Sequence, residues 1–149
     1  SYGYRTDSGM DILGYELPPR DFSKKGICRS KGSPNNLSAV NRYNKDTEIL
    51  CIVEGYLDAY TLWQHLNEHD QSSKYHIVTP TNGINSLSKH IDRIEFDKYK
   101  KHYLFVDNDE VSRPIANKIC AKYPFENIRL TCGCKDFNEH YLRCIKGFN

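Results

Sequence analysis

A chain of 149 residues, 12% of them aromatic, is long enough for one packed domain and too rich in core-forming side chains for a disordered tail. No apolar run approaches the ~18 residues of a membrane-spanning helix and no charged-then-apolar leader opens the sequence, so a soluble cytoplasmic protein without membrane contact is expected. The net charge of +2 excludes a uniformly polycationic tail, although residues 1–45 carry eight Lys and Arg against four Asp and Glu, while residues 46–149 carry thirteen against fifteen.

Residues 1–45 are rich in Gly, Pro, Ser and Asn. Ile12–Leu17 is a short extended stretch closed by Pro18-Pro19, and Lys31–Asn36 has the composition of a loop. This part is expected to be a small N-terminal β-rich extension, ahead of a main domain over residues 46–149. The opening Ser, in place of Met, suggests a piece of a longer protein.

Within the main domain, Glu48–Val53 is a compact apolar run of the kind found in strands covered on both faces. Ala59, Leu62, Trp63 and Leu66 fall at i, i+3, i+4 and i+7, predicting a helix. Tyr75–Thr79 reads as a second strand, followed by the turn Pro80-Thr81-Asn82-Gly83. Residues 85–100, with Lys89, Arg93, Lys98 and Lys100, read as a polar helix, and His102–Val106 as a third strand. Val111, Ile115, Ile119 and Tyr123 mark another helix, which Pro114 permits only near its start. Asn127–Thr131 is a fourth strand and residues 138–146 a last short helix. Strands alternating with helices predict an α/β, Rossmann-like fold, a roughly four-stranded parallel sheet flanked by helices. Such sheets place their chemistry at the carboxyl ends of the strands.

Carboxylates follow those ends. The first strand runs into Glu54-Gly55-Tyr56-Leu57-Asp58, where Gly55 would let the backbone turn sharply into the helix. The third runs into Asp107-Asn108-Asp109, whose two aspartates would project together if the chain stays extended. Crowded carboxylates repel unless a cation sits between them, and magnesium or manganese suits an oxygen-only set that keeps several waters. Either motif alone is equally well a solvated loop; their combination at the carboxyl edge of one sheet points to a metal site acting on phosphate. A basic leading segment beside these carboxylates would suit a polyanionic partner. The cysteines read as reduced thiols. Cys51 and Cys120 lie on apolar faces, and the C-x-C-x5-H-x3-C spacing of Cys132, Cys134, His140 and Cys144 matches no common structural zinc pattern.

Glu54–Ala59 resembles the first motif of the Toprim family, in the version found in bacterial-type DNA primases and their phage, plasmid and mobile-element relatives. Asp107-Asn108-Asp109 resembles the second motif, and Lys135-Asp136-Phe137-Asn138-Glu139 the K-D-x-(N/D)-E segment of primase-like members. The resemblance covers residues 48–145. It implies a magnesium-dependent nucleotidyltransferase that makes RNA primers on a single-stranded DNA template from nucleoside triphosphates, with a replicative helicase as a further partner. Glu54 would act as acid/base or assist the metal, and Asp107 and Asp109 would bind the cation. Asp58 and Asp136 would lie at the rim of the same acidic cluster, supporting a second metal ion or the nucleotide phosphates, and Lys135, Asn82, Gly83, Lys89 and Arg93 would meet nucleotide or DNA. The family's second motif ends in a glycine where this chain has Ser112, a residue able to cap a helix instead. Topoisomerase-like or nuclease chemistry on DNA phosphodiesters, and a module kept only for binding DNA or a partner, are the alternative readings.

Overall fold

A computed structural model of the chain describes residues 16–17, 28–29, 37–81 and 83–148. In chain order its elements are strands β1 (Glu16–Leu17), β2 (Cys28–Arg29), β3 (Leu37–Ala39) and β4 (Ile49–Val53), helix α1 (Tyr56–Glu68), strands β5 (Tyr75–Pro80) and β6 (Lys101–Phe105), helix α2 (Ser112–Lys122), strand β7 (Glu126–Ile128) and helix α3 (Phe137–His140). β1 and β2 pair antiparallel as a separate two-stranded sheet. The other five form one sheet in the order β3-β5-β4-β6-β7, in which β4 to β7 run parallel and only β3 is antiparallel.

The central place of β4 follows from its sequence. Successive residues of a strand face opposite sides, and an unbroken apolar run can be satisfied only where both sides are covered. Leu50 and Ile52 enter one core cluster, with Ala116 and Ile119 of α2 and with Ile84, Leu87 and Ile91. Cys51 and Val53 enter the other, with Ala59 and Leu62 of α1 and Phe137 and Tyr141 near the carboxyl end. Ile52, Ile77, Leu87, Ile91 and Leu104 are fully enclosed. Each such side chain contributes about 1.5–3 kcal/mol, so the sheet and its two layers hold one another.

The sheet has the expected parallel strands and one strand more. β3 lies inside the stretch read as an N-terminal extension, and it pairs with β5 through Leu37–Pro80, Ser38–Thr79 and Ala39–Val78. Residues 85–100 do not form the expected α-helix. They make short 3-10 turns at Ile84–Lys89, Ile91–Arg93 and Phe96–Lys98: the buried Ile84 and Leu87 anchor the first to the core, the buried Ile91 the second, and the partly buried Phe96 packs the third against it. Two positions of the helical stripes are also at the surface: Val111 is 66% exposed and precedes α2, and Trp63 is 36% exposed on the outer side of α1. Among the described residues no helix is long and apolar enough to cross a membrane.

Candidate functional site

β4, β5 and β6 end side by side, and Glu54 ties the three ends together. Its backbone N–H continues the ladder to Phe105 O at 3.2 Å. Its carbonyl accepts from Thr79 Oγ1 at 3.2 Å. Its carboxylate accepts from the Asp107 N–H at 2.6 Å through Oε2 and from Ser112 Oγ at 2.7 Å through Oε1. Gly55 does not make the sharp turn expected of it. Its φ of −120° and ψ of 152° are extended backbone open to any residue, and a β-carbon there would lie 3.6 Å from Asp58 Oδ2, ordinary contact.

Asp58, in the first turn of α1, is buried, and it meets Asp107 and Asp136 with carboxylate oxygens all within 4.8 Å of one another. Burial first, then the neighbouring charges of Glu54, Asp58 and Asp136, pushes Asp107 up to about 8, with Lys135 opposing. Burial also pushes Asp58 up to about 6, while the Asn138 N–H, donating to Asp58 Oδ1 at 2.8 Å, pulls the other way. Asp58 and Asp107 interact directly, and both carboxyls hold their protons to a higher pH than a free carboxylate does. A divalent cation would relieve this crowding, because the donors are all hard oxygens and they converge. The residues fit magnesium.

The segment carrying Asp136 is built for its position. The Asp136 carboxylate accepts from Glu139 N at 2.8 Å and so caps α3, while Glu139 Oε2 accepts from Lys135 N at 2.6 Å. Phe137 is buried, its ring 5.6 Å from that of Phe105. The Asn138 side chain accepts from Thr61 Oγ1 at 3.0 Å, which joins the segment to α1. The Lys135 carbonyl accepts from Asn108 N at 2.6 Å, which joins it to the turn after β6.

A Toprim-like family model matches residues 51–141, more than half of the chain. The chain belongs to that family. Two solved structures share the fold of this Toprim-like domain. One is a bacteriophage T7 lagging-strand DNA polymerase interacting with primase domains of two gp4 subunits bound to an RNA/DNA hybrid and dTTP; it is 22% identical, with a TM-score of 0.72 over 95% of this chain and 69% of the matched one. The other is the primase fragment of the bacteriophage T7 primase-helicase protein, 19% identical, with a TM-score of 0.62 over 95% of this chain and 57% of that one. At these identities the likeness is one of fold. The sequence finds no match among curated proteins.

In this Toprim-like domain the carboxylate group is thus formed by Asp58, Asp107 and Asp136, beside Glu54. Asp109 is outside this group of three. The chain bends at Asn108 and Asp109, and Asp109 Oδ1 accepts from the N–H groups of Val111 at 3.1 Å and Ser112 at 2.8 Å, which hold the start of α2 and keep the Asp109 carboxyl below its usual range. Gly83, with φ of +73°, takes the left-handed backbone that glycine permits, and its carbonyl accepts from Ser86. Asn82 lies outside the described residues. Lys135 is exposed and acts on both Asp107 and Asp109. Lys89 and Arg93 are exposed on the 3-10 stretch, where their charges act on the buried His90. Sequence reasoning missed two contributors, Asn138 and Ser112. The (N/D) of the last motif was a signal for Asn138. Ser112 was read as a helix cap, but its hydroxyl goes to Glu54 instead.

Proposed function

We propose that this Toprim-like domain is the catalytic module of a DNA primase-like replication protein. It would join ribonucleotides into a primer on single-stranded DNA, with magnesium or manganese as cofactor. The observation that carries the reading is the convergence of Asp58, Asp107 and Asp136 beside Glu54 at the carboxyl edge of the parallel sheet. The likeness in fold to phage primase domains supports primer synthesis as the reaction, and nucleoside triphosphates and a single-stranded template as its substrates. A replicative helicase is proposed as a partner because one matched relative is a primase-helicase, and a cytoplasmic setting goes with that role.

Asp107, Asp58 and Asp136 would hold the ion, with Asp109 as a further ligand. A bound ion would draw charge from the substrate phosphate as the phosphoryl group transfers. Glu54 keeps the Asp107 turn in place, and it would take a proton from the attacking hydroxyl or assist the metal. Lys135, with the loop at Asn82 and Gly83, would meet the nucleotide phosphates, and Lys89 and Arg93 the template.

The test is primer synthesis with labelled ribonucleotides on single-stranded DNA by the chain itself. Products that require magnesium and vanish in Asp107→Asn and Asp136→Asn support the reading. Nicked or relaxed DNA without primers would move it to the nuclease or topoisomerase class. Magnesium-independent DNA binding without either reaction would leave a binding module.

A further inference from the structure

A second cluster of metal-ligating side chains lies on the far side of Asp136, in the part of the sequence whose spacing argued against one. The ligand atoms of Cys132, Cys134, His140 and Cys144 all lie within 4.8 Å of one another. Two local features bring them together. Gly133 has φ of +84°, the left-handed conformation that glycine adopts freely, and it folds the C-G-C loop so that the Cys134 N–H reaches the Cys132 sulfur. On the other side His140 and Cys144 are one turn apart. The chain between them widens over Tyr141–Ile145, with Lys146 N donating to Tyr141 O at 2.9 Å, a wide-turn form that concentrates at functional sites.

The distances suit one ion shared by four donors. A tetrahedral zinc with bonds of ~2.3 Å to sulfur sets its sulfurs about 3.8 Å apart. Cys134 Sγ and Cys144 Sγ are 3.7 Å apart, and Cys132 Sγ is 3.2 Å from His140 Nδ1. A disulfide would need ~2.05 Å, and none of the described cysteines forms one. Three sulfurs and one imidazole are a soft set that magnesium does not take and zinc does. Arg143, fixed to Glu139 at 3.1 Å, places its charge where it acts on Cys134 and Cys144, against the negative charge that three thiolates would bring.

We infer that Cys132, Cys134, His140 and Cys144 bind one structural zinc ion, separate from the acidic site, which fastens the loop before Asp136 to the C-terminal helix. Binding would release the thiol protons to solvent. Its consequence for the acidic site is positional. Cys134 is two residues from Asp136, and the carbonyl between them, that of Lys135, holds Asn108 beside Asp107. The ion would brace the Asp136 side of the site while taking no part in the chemistry.

The test is metal content and cobalt titration of the full chain purified under reducing conditions. About one zinc per chain is expected, together with an intense visible cobalt spectrum with sulfur-to-metal charge transfer. Cys144→Ser and His140→Ala should bind cobalt at least ~100-fold more weakly. Cys120→Ser should match wild type, and Asp136→Asn should keep the spectrum unchanged, so the result stands apart from the fate of the acidic site. A wild-type chain that binds cobalt no more tightly than Cys144→Ser would overturn the inference. So would a pale octahedral cobalt spectrum, or a Cys134–Cys144 disulfide found by mass spectrometry in the reduced preparation.

Discussion

Ser112 stands where the family resemblance leads one to expect glycine, and its surroundings explain how the substitution works. The residue is almost fully buried, and its hydroxyl supplies one of the two hydrogen bonds that fix the Glu54 carboxylate. A hydrogen bond to a charged group is worth about 1.5–3 kcal/mol, so Ser112→Ala should lower stability by that amount in a urea melt. A variant as stable as wild type would mean that Glu54 finds another donor. Asp107 gives the residue scale its pH dependence. Its native carboxyl titrates near 8, above the ~3.9 of an unfolded chain. The folded protein therefore holds the extra proton between those values, and its stability contribution is complete below about pH 4 and lost as pH rises towards 8. Asp107→Asn removes both the repulsion and this slope. Without metal the variant should be the more stable protein at pH 8, and its advantage should fade by pH 5; melts in chelator at both values check this. The acidic residues at the strand ends were legible in sequence because a carboxylate at the carboxyl end of a parallel strand has few structural reasons to be there. The hydrogen bonds from Asp109 to the start of α2 were not legible, because they depend on where the chain leaves the strand.

At the scale of elements, the period of the apolar residues decided what could be foreseen. β4, β5 and β6 and the helices α1 and α2 were visible because one face, or both, must be covered. The stretch 84–98 was not, since buried side chains spaced three and four apart fit a helix and a chain of 3-10 turns equally well until the core chooses. The antiparallel β3 escaped because three residues carry no readable alternation. The last segment is the informative case, because each residue of Lys135–Glu139 has a separate task. Phe137 is its anchor, packed on Phe105 and on the cluster that includes Ala59 and Leu62. Phe137→Ala should cost about 3–5 kcal/mol. Because Asp136 and Asn138 flank the anchor, the variant should also lose most of the thermal stabilisation that magnesium is expected to give the wild type, an effect of mass action on the folded state. Phe137→Leu, which keeps most of the packing, should retain it. If Phe137→Ala melts lower but responds to magnesium as fully as wild type, Asp136 is held by its cap alone.

For the whole molecule the question is how a chain with so small a net charge would meet the proposed single-stranded DNA while keeping an acidic centre. Not all of its basic residues are equally available. Lys98 is paired with Glu95, and Lys100 with Glu48 at 3.1 Å, so part of the positive charge on residues 89–101 is already met by carboxylates on the same surface. Lys89 and Arg93 are exposed one turn apart on the 3-10 stretch, and Lys135 stands at the rim of the carboxylate group. Each phosphate neutralised on a single strand contributes about −0.7 to the slope of log affinity against log salt. Removing two phosphate contacts should therefore flatten that slope by about 1.4, and removing two lysines already held by glutamates should flatten it much less. The measurement is single-stranded DNA binding by fluorescence anisotropy at several salt concentrations, with wild type, the double variant Lys89→Ala/Arg93→Ala and the double variant Lys98→Ala/Lys100→Ala. Equal flattening in both variants would mean that DNA displaces the glutamates and uses the whole stretch as one basic surface. No flattening in either would move the template path away from residues 89–101 and on to other basic residues, Lys135 and the eight of residues 1–45 among them.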